Sequence, residues 1–526
     1  MTQRTPAKRR KVLVVGGGAA GTAAAWSLSR SPALFDVSLW ESAPVLGGVA
    51  TTEALKLADG SVVAINDGVQ GGAPSYRNCL SLHAALGGFV PQQVFMKVAF
   101  GKGGLTWSNV GAPSDLVRRM QPDIARFGRV LRRVDALPVV FAFVPIRRVL
   151  KLWRFDPDFG ERLVYPLTAL FFGTGNRTPE VSAAIIARVF LDPKLRLFDY
   201  SPERLLDSSP EMFAFQQLGD IYATAAEKLR AAGVDVRLNC ACSRVQRFPG
   251  TANAVVATDA TGAAHNFDAV IFACDAATAL RLLERPGFWE RHVLGSVRYY
   301  DDVTYTHSDE AYMREHYELH ADAPDERPDY FIWSHPGDAS KLEMSFDLGH
   351  YQPHLRSRPP GAPPIYQVRC DACLADTHWT LTVFHSRLRF PRAEHIPGPL
   401  GLRENLDCGP HSQRQGAPKK VTPLRCAALS CCTVRQILLV KWWRQFSHEA
   451  SHFRSVVPFV RLAQGSGGGT TFYAGSWTLV NTHEVATVSG LAAAYRLGAT
   501  YPFADDKLAA DQFKQYLSVS HGVSYR

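Results

Sequence analysis

No apolar run in this 526-residue chain approaches the roughly 20 residues needed to cross a bilayer. The most apolar piece, LPVVFAFVP at 137–145, is too short. The basic start, MTQRTPAKRRK, leads into a strand-like run and lacks the apolar stretch and cleavage site of a signal peptide. It reads as a solvated leader, so a cytoplasmic, intracellular protein is expected. Charge of one sign is not spread along the chain either. The net charge is +10, but residues 368–435 hold ten Lys/Arg against five Asp/Glu and alone supply +5. A local excess of that kind argues against a nucleic-acid surface, and no nucleic-acid partner is expected. Cysteine is sparse outside the same segment. Cys79, Cys240, Cys242 and Cys274 lie in apolar or strand-like contexts and read as reduced, buried thiols, which excludes a disulfide scaffold.

What the chain does have is enough apolar content, 46%, and enough length for two or three cooperating lobes. Its most informative stretch is KVLVVGGGAAGTAAAWSLSR. The apolar run Lys11 to Val15 reads as a buried parallel strand, followed at once by Gly16-x-Gly18-x-x-Gly21 and an Ala-rich helix through Arg30. Gly16 allows a tight turn, Gly18 lets the backbone approach a diphosphate, and Gly21 lets helix and strand pack closely. The phosphates then rest on the helix start, at Ala19 and Ala20, where free N–H groups and the dipole favour an anion. A second strand, DVSLWE, ends in Glu41, twenty residues after Gly21, where an acid accepts from a ribose hydroxyl. An acid there disfavours a 2′-phosphate, and so NADP at this site.

PVLGGVATT (44–52) then places Gly47-Gly48 after the acid, and INDGVQGGAPSYRNCL follows. With these residues the chain resembles the FAD-dependent amine oxidase and phytoene desaturase superfamily of Rossmann oxidoreductases, whose members carry R-x-G-G-R-x-x-T after the acid. The glycines and Thr51/Thr52 are kept, whereas Val45 and Val49 stand where the family has arginines. The resemblance implies bound FAD, with Gly47, Gly48, Val49 and Thr51 near its diphosphate and Asp67, Gly68, Val69 and Gln70 along the flavin. It also implies that Val245 meets the adenine through its backbone. In the last piece (470–498), Gly475 ends a strand and a helix starting near Glu484 and Val485 aims its dipole at the flavin's N1/C2=O edge. Ser476 replaces the family's usual acid, and Glu484 is the candidate to supply that contact instead.

The expected architecture is α/β: a Rossmann-like FAD domain assembled from 10–100, 211–290 and 468–505, with an α+β substrate domain from 101–210, 291–367 and 436–467. Residues 111–210 read as a helical cap whose aromatics and arginines either pack inward or form a basic amphipathic edge in weak contact with a membrane surface. Trp333, Trp442, Trp443 and Tyr299 are candidates to wall an apolar pocket.

Residues 368–435 break the pattern. They carry Cys370-x-x-Cys373, Cys408, Cys426, Cys431 and Cys432 without a second paired motif, so the segment reads as an atypical insertion, disordered or a gene-model artefact, and not as a zinc site. His448-Glu449-x-x-His452 has the spacing of a zinc hydrolase, but no third ligand follows, and no metal is expected there. The expected activity is FAD-dependent removal of a hydride equivalent from a C–N or C–C bond of a small or lipid-like substrate, with oxygen or another molecule as electron acceptor. A desaturase or isomerase using the same site, or a non-catalytic flavin-binding protein, are the alternatives. Lys97 and His448 are the candidate bases.

Overall fold

The computed structural model describes residues 9–525 except 88–91, 173–174, 193–198, 207–210, 216, 252–253, 320–325, 336–337, 360 and 372–435. The expectation for the atypical segment therefore falls outside the described residues, apart from its first few, which complete the strand Tyr366–Asp371.

The nucleotide-binding part is a five-stranded parallel sheet. Its strands are β1 (Arg10–Val15), β2 (Phe35–Trp40), β3 (Asp235–Arg237), β4 (Ala269–Phe272) and β5 (Thr471–Tyr473), in the order β3-β2-β1-β4-β5. Val12 pairs with Ala269 and Val15 with Phe272. A parallel sheet covered on both faces needs apolar side chains on both, which is why Val12–Val14 and Ala269–Phe272 are apolar without alternation and fully buried. Three segments distant in sequence thus meet side by side.

Four helices frame this sheet: α1 (Ala19–Ser29), α2 (Arg77–Leu86), α3 (Leu218–Ala231) and α4 (His483–Leu497). α1 packs along α4 with almost no side chain between them. A Cβ on Gly490 would lie 2.0 Å from the carbonyl oxygen of Ala20, so only glycine permits this approach. An antiparallel meander, Cys242–Arg247, Val255–Asp259 and Ala264–Phe267, leads from β3 into β4.

The second lobe is a seven-stranded mixed sheet in the order Ile437–Phe446, Tyr299–His307, Tyr366–Asp371, Asp338–Asp347, Tyr330–His335, Val98–Phe100, Trp107–Ser108. Val98–Phe100 runs parallel to Tyr330–His335, inside this sheet. The helix Asp115–Ala136 is capped by Ser114, which accepts from the Val117 N–H. Its buried Leu116, Met120, Ile124, Phe127, Leu131 and Val134 recur every three or four residues, so one stripe faces the core. Beyond its end, Leu137, Val139, Val140, Phe143 and Leu152 are exposed. Among the described residues no helix is long and apolar enough to cross a membrane.

Candidate cofactor and active site

At the end of β1 the chain turns through Gly16, whose N–H donates to the Trp40 carbonyl at 2.9 Å. The Gly17 N–H donates to Glu41 Oε2 at 2.6 Å, while Glu41 Oε1 accepts from the Ala43 N–H at 2.7 Å and the Ser42 hydroxyl at 3.0 Å. The carboxylate is thereby fixed at the carboxyl end of β2, beside the glycine turn. α1 begins with no side-chain cap at Gly18, and its first intrahelical bond is from the Thr22 N–H to the Gly18 carbonyl. The amides of Ala19, Ala20 and Gly21 therefore lack helical acceptors and are available to an anion. Gly21 is needed for packing: a Cβ there would sit 1.8 Å from the Gly16 carbonyl oxygen. At Gly18 a Cβ would come into ordinary contact with the Gly47–Gly48 backbone, 3.8 Å from the Gly48 Cα and 3.9 Å from the Gly47 carbonyl oxygen. The Gly47–Gly48 turn is held there through a bond from the Gly47 N–H to the Gly17 carbonyl. Free helix-start amides and a fixed acid beside them fit the adenosine diphosphate half of FAD. The family's arginine positions carry Val45 and Val49, both more than half exposed, so a diphosphate here would rest on backbone and dipole without those two cations.

From Val49 the chain runs to Thr51, whose hydroxyl donates to Asp67 Oδ1 at 2.9 Å. Asp67 opens the segment through Gln70, and that segment is faced by the strand Ile437–Phe446. Lys441 Nζ lies 2.7 Å from Asp67 Oδ2, 2.6 Å from Glu53 Oε1 and 2.8 Å from the Thr51 hydroxyl. Burial pushes the Asp67 carboxyl up, and Lys441 pulls it back down. Two residues along the same strand face, the Trp443 ring lies 4.7 Å from Lys441 Nζ and would touch a Cβ on Gly68 at 2.7 Å. Gln367 donates to the Asp67 carbonyl at 3.1 Å, and the buried Gln70 lies beside it. Of the four aromatics suggested as pocket walls, Trp443 borders this segment. Trp442 points to solvent, and the Tyr299 hydroxyl accepts from the Ala276 N–H. Lys441 was missed by sequence reasoning, although the i, i+2 spacing of Lys441 and Trp443 already places both on one strand face.

The remaining suggested residues have the following surroundings. The Lys97 backbone is bonded to Asp329 and Tyr330 within the seven-stranded sheet. The Val245 carbonyl accepts from the Glu284 N–H and its strand neighbour is Ala257, so its backbone is engaged in protein structure. The chain beside Glu41 is three to five residues earlier: the Cys240 N–H donates to the Glu41 carbonyl at 2.8 Å, and Cys242 starts the meander. After β5, Gly475 donates to the Ser489 hydroxyl, and Thr482 caps α4 by accepting from the Val485 N–H. Glu484 turns away from Ser476. Its oxygens accept from the Asn78 N–H at 3.0 Å, the Asn78 side chain at 2.8 Å and the Cys79 N–H at 2.8 Å, capping α2, and burial drives its pKa up to about 7.

The histidine pair of H-E-x-x-H is not on one helix face, because the helix Ala450–Ser455 begins after His448. His448 Nε2 accepts the Asn481 N–H at 2.7 Å, and Glu449 faces Tyr300 and Arg177. His452 packs against Phe446 and Phe453. Burial lowers both imidazoles to about 3.

Residues 14–84 match the family model of the NAD(P)-binding Rossmann-like domain, and residues 176–315 match that of flavin containing amine oxidoreductases. No curated protein matches the chain. Among solved structures, putrescine oxidase bound to putrescine is similar at 13% identity and a TM-score of 0.58, covering 94% of this chain and 100% of the other. A putative protoporphyrinogen oxidase from Exiguobacterium is similar at 13% identity and 0.55, with 93% and 99% covered. A fatty acid isomerase from P. acnes is similar at 13% and 0.53, with 93% and 98% covered. At such identities the structural likeness shows the fold.

Proposed function

We propose, from the premise that this chain is an FAD-dependent oxidoreductase of the amine-oxidase-like superfamily, that it removes a hydride equivalent from a C–N or C–C bond of an organic substrate. The observation that carries the reading is the meeting of Asp67–Gln70 with Lys441 and Trp443, a buried acid, an ammonium and an aromatic ring beside the segment assigned to the flavin. When bound, FAD supplies the acceptor of the hydride equivalent and hands the electrons on to oxygen or another acceptor. The α1 amides would hold its diphosphate and Glu41 its ribose. Lys441 opposes the burial that raises the Asp67 carboxyl, and the Thr51 hydroxyl donates to it. Trp443 covers Gly68 and shields that end from water.

A lipid-like substrate is favoured by one further feature. The exposed Leu137, Val139, Val140 and Phe143 are flanked by exposed Arg132 and Arg133 on one side and by Arg147, Arg148, Lys151 and the exposed Leu152 on the other, the composition of an edge that rests on an anionic membrane surface.

The test is spectroscopic. Reconstituted full-length protein should be yellow, and anaerobic addition of substrate should bleach it. Bleaching by amines supports C–N oxidation, and bleaching by fatty or carotenoid-like compounds supports C–C oxidation. Fast reoxidation in air marks oxygen as the acceptor. Protein that stays colourless after reconstitution overturns the proposal.

A further inference from the structure

Beneath the glycine turn, where α2, α3 and α4 meet, three ligand-bearing side chains converge. Cys79, His83 and His483 are all buried, and one ligand atom from each lies within 4.8 Å of the other two. Cys79 and His83 stand four residues apart on α2 and so share one face, with Sγ 4.0 Å from His83 Nε2. His483 is the first residue of α4 and brings its ring in from across the interface. The Tyr222 hydroxyl on α3 lies 2.8 Å from His483 Nε2, which engages that nitrogen. The other nitrogen, His483 Nδ1, is buried and has no hydrogen-bond partner among the described residues.

We propose that Cys79, His83 and His483 bind a zinc-class divalent ion through one thiolate and two imidazoles, with Tyr222 orienting His483.

The donor set suits such an ion. One sulfur and two nitrogens are common zinc ligands, and a hydrogen-bond partner on the second nitrogen is the usual way a ligating imidazole is oriented. Bonds of about 2.3 Å to sulfur and about 2.0–2.1 Å to nitrogen put neighbouring tetrahedral ligands roughly 3.4–3.6 Å apart, so the thiol–imidazole pair need close by only about half an ångström. As a hydrogen-bonded core cluster the arrangement is poor: the thiol contact is long, and a buried nitrogen left without a partner costs about 1–3 kcal/mol. Burial keeps both imidazoles neutral, as ligands must be. Burial also favours the protonated Cys79 thiol, so binding replaces the S–H bond by a metal–sulfur bond and releases one proton to solvent.

The position gives the ion a structural task. It would tie the start of α4 to α2 and, through Tyr222, to the glycine turn, since the Tyr222 ring would lie 3.2 Å from a Cβ on Gly47. The cofactor cradle would then be braced from below, independently of which substrate the enzyme oxidises.

The test uses full-length protein prepared without a metal-affinity tag, dialysed against zinc chloride, passed over chelating resin and analysed by mass spectrometry for metal. One zinc per chain is expected. Cys79→Ser and His483→Gln should each lose it, whereas His452→Gln, a buried histidine outside the cluster, should keep it. Zinc-edge X-ray absorption of the wild-type protein should show one sulfur at about 2.3 Å and two nitrogens at about 2.0–2.1 Å. Metal-free wild-type protein, zinc retained in Cys79→Ser, or an edge spectrum without sulfur each overturns the site. If a variant does not fold, the wild-type edge spectrum decides alone.

Discussion

Lys441 Nζ stands 2.7 Å from Asp67 Oδ2, and this contact joins the outermost strand of the seven-stranded sheet to the first residue of the candidate flavin face. The Asp67 side chain is fully buried, while a quarter of the Lys441 side chain remains exposed. Removing one partner of a buried pair costs about 3–5 kcal/mol because the other charge is stranded, and partial exposure reduces that here to about 2 kcal/mol. Lys441→Met should therefore lower the unfolding free energy in urea by about that amount. Adding Asp67→Asn to it should restore much of the loss, since the buried charge is then gone and the carboxylate still without its ammonium, Glu53, is partly exposed to water. A Lys441→Met protein as stable as wild type would mean that the contact does not hold the two segments together.

Glu41 accepts three hydrogen bonds that position it beside the free amides of α1. Hydrogen bonds to a charged group are worth about 1.5–3 kcal/mol, so Glu41→Ala should weaken FAD binding roughly tenfold to a hundredfold. Quenching of flavin fluorescence on titration with protein measures this directly. An unchanged dissociation constant would remove the acid from the cofactor site.

The approach of α1 to α4 depends on Gly490. An added methyl group would stand 2.0 Å from the Ala20 oxygen and 3.0 Å from the Ala24 nitrogen, both backbone atoms that cannot swing aside. Overpacking of this kind costs about 1–3 kcal/mol, so Gly490→Ala should lower the melting temperature and release flavin more readily. Both losses should be seen together, because the two helix starts serve one cradle.

The parts legible in sequence were those whose chemistry is local. Gly16 to Gly21, the run Lys11–Val15 and Glu41 are close in the chain, and each residue type is demanded by the backbone around it. Lys441 is not legible as a partner of Asp67, because packing of the strand Ile437–Phe446 against the segment at Asp67–Gly68, not sequence proximity, brings them together. Val245 lies on the expected strand, where its carbonyl accepts from the Glu284 N–H. Alternation gives the phase of a strand but not its start, and a bulge between Cys242 and Arg244 shifts the register. The start of α4 was anticipated, but not the direction of Glu484. α2 has no side-chain cap of its own at Tyr76, so its buried first-turn amides at Asn78 and Cys79, which lack helical acceptors, draw that carboxylate away. The H-E-x-x-H spacing, from which no metal is expected, carries metal-binding geometry only on a helix, and His448 precedes the helix.

His448 and His452 instead set a pH dependence. Both are buried, with folded pKa values lowered to about 3, against about 6.5 in an unfolded chain. At pH 7 they are neutral in both states and contribute nothing to the slope. As pH falls below 6.5 the unfolded chain takes up protons that the folded chain refuses until about pH 3, so stability present above pH 6.5 is lost on acidification. For one such histidine the loss between pH 7 and pH 5 is about 2 kcal/mol. His452→Gln removes one of the two while leaving every other titrating group in place. Unfolding free energies of wild type and variant, measured at both pH values, should therefore converge by about 2 kcal/mol on going to pH 5. Parallel curves would show that His452 meets solvent or an acid in the folded protein, and the buried neutral pair would have to be abandoned.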